Sequence, residues 1–78
     1  MNPPVFVRRL GRKAACLNTE ACPDVLLLAD GNFAVIGLDI TSDSAGRLPA
    51  GVGCGQGERI VMIPREVLVA ARSDIPKA

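Results

Sequence analysis

Cys16, Cys22 and Cys54 are the side chains best suited to bind a metal, pair as a disulfide or act as nucleophiles. A zinc site takes four ligands, and the Cys-x5-Cys spacing of Cys16 and Cys22 is wider than the usual knuckle of two to four residues. The chain contains no histidine, so a fourth ligand would be a carboxylate such as Glu20 or Asp24, or would come from another chain. A local disulfide between Cys16 and Cys22 is an alternative, and unpaired structural thiols are the favoured reading. No metal and no cofactor is therefore expected.

Gly51 to Gly57 (GVGCGQG) has the outline of a phosphate-cradling loop. Such loops need a following helix whose free N–H groups meet the phosphate, whereas a strand pattern follows here and neither glycine-loop spacing is satisfied. Asp39, Thr41, Ser42, Asp43 and Ser44 suggest a calcium loop, but Ser44 stands where a glycine is required and Ala50 where a bidentate glutamate is required. A solvated strand end accounts for them better. Without histidine, a Ser- or Cys-based triad lacks its usual base, so no catalytic residue is assigned and an enzyme is not expected.

Placing these groups falls to a short chain. Seventy-eight residues make a single domain (1–78), near the size at which one core is marginal without a staple or a partner. With no Trp or Tyr and only Phe6 and Phe33 as aromatics, the core must be aliphatic. No apolar run approaches the roughly 18 to 20 residues of a membrane span, and the first residues lack the apolar stretch of a secretory signal, so a cytoplasmic protein is expected. Arg8, Arg9, Arg12 and Lys13 are unopposed by any acid within residues 1–15. They read as a basic amino-terminal arm, either solvated or offered to nucleic acid or an acidic protein. Such an arm is expected to be dispensable for folding, although Val5 to Val7 have the composition of an edge strand.

Residues 24–40 (DVLLLADGNFAVIGLDI) are two apolar runs joined across Asp30-Gly31-Asn32, the signature of a β-hairpin, with the turn centred on Asp30-Gly31 or on Gly31-Asn32. A seventeen-residue connection rich in glycine, Thr41 to Gly57, leads to a third strand over Arg59 to Ile63. Pro64 suits a helix start and Arg72 a helix end, so a helix is expected from about Pro64 to Arg72, with Val67, Leu68 and Ala71 as its apolar stripe. The fold class that follows is α+β: a small antiparallel sheet of three or four strands built on the central hairpin, with one carboxy-terminal helix on one face. The strands are apolar on both sides and the helix covers one, so a homodimer is expected, with Val35 and Val61 in its interface.

Cys22 followed by Val25, Gly31, Ala34-Val35 and Asp39, then Ile63-Pro64 and Glu66, resembles the small actinobacterial regulatory proteins of the BldB-like type over residues 22–72. The resemblance implies a dimeric regulatory or adaptor protein without enzymatic activity, whose partner is a helix-turn-helix regulator. Residues 57–67 (GERIVMIPREV) resemble instead the strand-Pro-helix element of AbrB-type DNA-binding proteins. That resemblance implies a dimeric DNA-binding protein, to which the charge of the arm would add Arg8, Arg9, Arg12 and Lys13 as phosphate contacts.

Overall fold

The computed structural model describes residues 3–11 and 22–78. β2 (Asp24–Leu28) and β3 (Phe33–Ile36) form the expected hairpin, with Val25 opposite Val35 and Leu27 opposite Phe33. β1 (Phe6–Arg9) pairs antiparallel with the other side of β2, so the sheet order is β1-β2-β3. Beyond Gly37 the chain continues as β4 (Leu38–Asp39), which pairs with β5 (Val61–Met62) in a separate ladder. α1 (Thr41–Ser44) and a 3-10 turn at Ala45–Arg47 begin the long connection, and α2 (Arg65–Arg72) closes the fold. The architecture is α+β, as the sequence pattern predicts.

The hairpin turn differs from both alternatives. Gly31 N–H donates to the Leu28 carbonyl at 3.0 Å and Leu28 N–H to the Asn32 carbonyl at 2.9 Å. Gly31 has φ +91°, and among the described residues no non-glycine has positive φ. Ala29 and Asp30 therefore take the centre of a type I form turn, and Gly31 fills the left-handed bulge position after it, a three-residue loop whose twist suits the strands. Asp30 braces it by accepting from Asn32 N–H at 3.0 Å.

Directly opposed residues in a ladder share a face. Val25 and Leu27 thus lie on one side of the sheet with Val35 and Phe33, and α2 packs on that side. The core consists of Leu10, Val25, Leu27, Val67 and Ala71, with Ile63 against it. Val67 and Ala71 are one turn apart and face β2, whereas Leu68, the third member of the expected stripe, is rotated about 100° away and is 53% exposed. Pro64 has ψ 145° and so precedes the helix rather than beginning it.

Residues 3–11 are not a solvated arm. β1 is one edge of the sheet, and Leu10, immediately after it, is 2% exposed. Gly11 is packed so closely on α2 that a Cβ there would lie 2.6 Å from the Ala70 carbonyl carbon, and its φ is +79°. Its N–H donates to Asp74 Oδ2 at 2.7 Å, tying the amino-terminal strand to the far end of the helix. Arg12 and Lys13 lie outside the described residues. The third strand, expected over 59–63, contracts to Val61–Met62 and belongs to the second ladder, because Gly37 admits the Met62 carbonyl to within 2.6 Å of where a Cβ would stand.

Two glycines with the same sign of φ should respond differently to alanine. Gly31 has open space around it, so Gly31→Ala should cost about 1–2 kcal/mol of left-handed strain alone. Gly11→Ala adds a clash with helix backbone and should cost about 2–4 kcal/mol. Urea unfolding of both variants checks the order, which equal losses would refute.

Candidate functional site

Two acidic residues hold the sheet and the ladder in place. Asp24, 6% exposed, accepts from Arg9 Nε at 2.7 Å and from Val25 N–H at 3.0 Å. Arg9 sits beside it because Leu26 is opposite Arg9 in the β1–β2 register and Asp24 is the next residue along the same face. Half of the Arg9 side chain is in solvent, so the pair is worth little as Coulomb attraction; its role is to give a buried carboxylate a partner. Arg9 is thereby an element of the sheet. Arg8, opposite Leu27, is exposed.

Asp39 does the equivalent for the second ladder. The Thr41 hydroxyl donates to Asp39 Oδ1 at 2.6 Å and accepts from Ile60 N–H at 2.8 Å, so one side chain bridges β4 to the residue before β5. Thr41 N–H donates to the same carboxylate oxygen at 3.0 Å, and Ile40 N–H donates to the Ile60 carbonyl at 2.9 Å. The Thr41 hydroxyl, then the Thr41 N–H, and to a lesser degree the Arg59 charge hold the Asp39 carboxyl below its ordinary 3.8 against the opposing effect of desolvation. The polar run 39–44 is thus a strand end folded into α1.

The cysteines part company. Cys22 is disulfide-bonded, which corrects its reading as an unpaired thiol and leaves it no thiolate for a metal. Cys16 and Glu20 lie outside the described residues. Cys54 is a free, partly exposed thiol whose Sγ donates to the Glu58 carbonyl at 3.5 Å. Glu58 reaches back to accept Gly55 N–H on Oε1 at 2.8 Å, so the glycine-rich stretch is folded into a turn and leads to β5. Among the described residues no three Cys, Asp or Glu side chains converge as metal ligands, and no helix is long and apolar enough to cross a membrane.

What the fold does assemble is apolar surface. On the side of the sheet opposite α2, register places Phe6 with Leu28, Ala34 with Leu26, and Ile36 with Asp24. Phe6 is 55% and Ile36 52% exposed. Ile36 also borders a cleft of about 410 Å³ whose walls are Pro23, Gly37, Leu38, Met62 and Pro64, with Cys22 at one side. The cleft exists because β2 stops at Asp24 while the chain on its other side turns through Gly37 to meet β5. Val35 and Val61, paired in the sequence reading, fall in different ladders: Val35 is in β3 on the helix side, and Val61 is opposite Asp39. The sequence pattern showed two apolar faces but not this cleft, which depends on which strand pairs with which.

No protein-family model, curated protein or solved structure matches the chain.

Two measurements follow from this geometry. A carboxyl whose pKa is depressed by folding stabilises the fold above its unfolded value of 3.8, and that contribution is lost as pH falls through the lower folded-state value. Thermal melts from about pH 2 to about pH 6 should therefore show Asp39→Asn with a shallower acid loss than the wild type. Iodoacetamide on unreduced protein, read by peptide mass, should label Cys54 and should label Cys22 only after reduction; the reverse pattern would contradict the assigned thiol states.

Proposed function

We propose that the chain is a non-enzymatic regulatory adaptor, a homodimer that works through protein contacts in the cytoplasm and has a helix-turn-helix transcription regulator as its partner. The observation that carries this reading is the imbalance of apolar surface. Among the described residues, the large apolar side chains left exposed outnumber those buried, and they include Phe6 and Ile36 on the sheet face opposite α2 and Leu38 and Met62 in the adjoining cleft. Soluble monomers seldom leave contiguous apolar surface open beyond a few hundred Å² unless something docks there. The residues that resemble the BldB-like regulators form the hairpin and the approach to α2, the frame that presents this surface.

A nucleic-acid role through Arg8, Arg9, Arg12 and Lys13 has less support, because Arg9 is already committed to Asp24. Its signature would be duplex-DNA affinity that falls steeply with salt.

The test is retention of any helix-turn-helix regulator found encoded beside this chain's gene on immobilised protein, compared with Ile36→Lys. Ile36 is half exposed and opposite Asp24, so the new ammonium should leave the melt nearly unchanged while placing a charge at the mouth of the cleft. Retention by the wild type and its loss in the variant is expected. Failure of the wild type to retain the regulator, together with salt-sensitive binding to random duplex DNA, would replace the adaptor with the DNA-binding reading. Sedimentation at micromolar concentration should give twice the monomer's 8.1 kDa.

A further inference from the structure

We propose that two copies of the chain join edge to edge through β3, antiparallel about a two-fold axis at Ala34, forming one continuous sheet. The proposal rests on the homodimer reading and assigns its interface. β3 is an outer strand, with β2 on one side only. In an antiparallel ladder successive residues alternate between pointing their N–H and C=O at the neighbour and away from it. Leu28 N–H donates to the Asn32 carbonyl, so Asn32, Ala34 and Ile36 turn their backbone groups toward β2. Phe33 and Val35 turn theirs outward, and neither has a backbone partner among the described residues.

The two edges of the sheet are built differently. β1 carries the features that discourage pairing: Pro3 and Pro4 before it, an irregularity between Phe6 and Arg8, and Arg8 and Arg9 along it. A second copy at that edge would bring arginines together. β3 carries none of these features, and from Asn32 to Leu38 it has no charged side chain, so two copies meet there without repulsion. A two-fold contact through β3 uses the same edge of both copies, so association closes at two and does not propagate into a fibre.

Register follows from the backbone. Phe33 pairs with Val35 of the second copy by reciprocal N–H to C=O hydrogen bonds, and Val35 with its Phe33. This sets an aromatic ring beside a β-branched side chain on the helix side, a favourable cross-strand pair. Ala34 then faces Ala34 of the second copy in the close, non-hydrogen-bonded position, where Cα atoms stand about 4.5 Å apart and a small side chain fits.

That distance lies within the span of a disulfide, about 4.4–6.8 Å, which supplies the test. Ala34→Cys in a Cys54→Ser background, oxidised mildly and run without reductant, should become a covalent dimer that reductant dissolves. Val35→Pro removes an outward N–H without touching the β2 ladder, so it should keep a cooperative melt while the dimer dissociates about thirtyfold more readily. A dimer in sedimentation that neither cross-links through Ala34→Cys nor weakens with Val35→Pro would overturn the edge assignment and leave the homodimer standing. A monomer throughout the micromolar range would overturn the homodimer as well.

Discussion

Val67 and Ala71 stand one turn apart on α2, and the side chains they cover, Val25 and Leu27, stand two residues apart on β2. The match between a helix repeat near 5.4 Å and the spacing of alternate strand residues lets eight residues of helix bury one side of one strand. It also limits what the helix can do. A single short helix reaches β2 and little beyond, so Phe33 and Val35 on the neighbouring strand stay about two-fifths exposed although they lie on the covered side. Among the described residues no helix packs on the reverse side of the sheet. Leu10 completes the core only because the chain after β1 bends onto α2, and that bend depends on Gly11.

Backbone approach is the second constraint. At Gly11 the amino-terminal chain lies against the Ala70 peptide, and at Gly37 the outgoing hairpin strand lies against the Met62 carbonyl. Neither place has room for a side chain. Gly37 ends the three-stranded sheet and starts the second ladder, which Thr41 then locks by joining Asp39 to Ile60. The glycine-rich connection is long, but its two ends are pinned by the same hydroxyl, so its length bears little on how β4 meets β5.

The hairpin and α2 were legible because each is written in local pattern: alternate apolar residues around a glycine turn, and a proline start with apolar residues four apart. β1 was harder to read. Its arginines look like a solvated arm until Arg9 is seen paired with Asp24, fifteen residues on. Gly11 carries no local signal of its role, which lies in a contact with helix backbone about sixty positions away in sequence. The disulfide state of Cys22 was not readable either, since three cysteines do not fix their own pairing. Val35 and Val61 illustrate the general limit. Both are apolar strand residues, and nothing in either segment states which ladder it joins.

The distribution of exposed apolar groups then separates two kinds of contact. Joining sheets at an edge satisfies backbone donors and acceptors but leaves the faces of the sheet as they were. A dimer made through β3 would therefore leave Phe6 and Ile36 of each copy as exposed as before, and would set the two reverse faces side by side. The cleft beside Ile36 lies past the end of β3, where the chain turns through Gly37, so edge pairing does not fill it. Self-association through the edge and recognition of another protein through the face and cleft use different atoms. Neither has to be undone for the other to occur, and a partner with two-fold symmetry of its own would meet both copies at once.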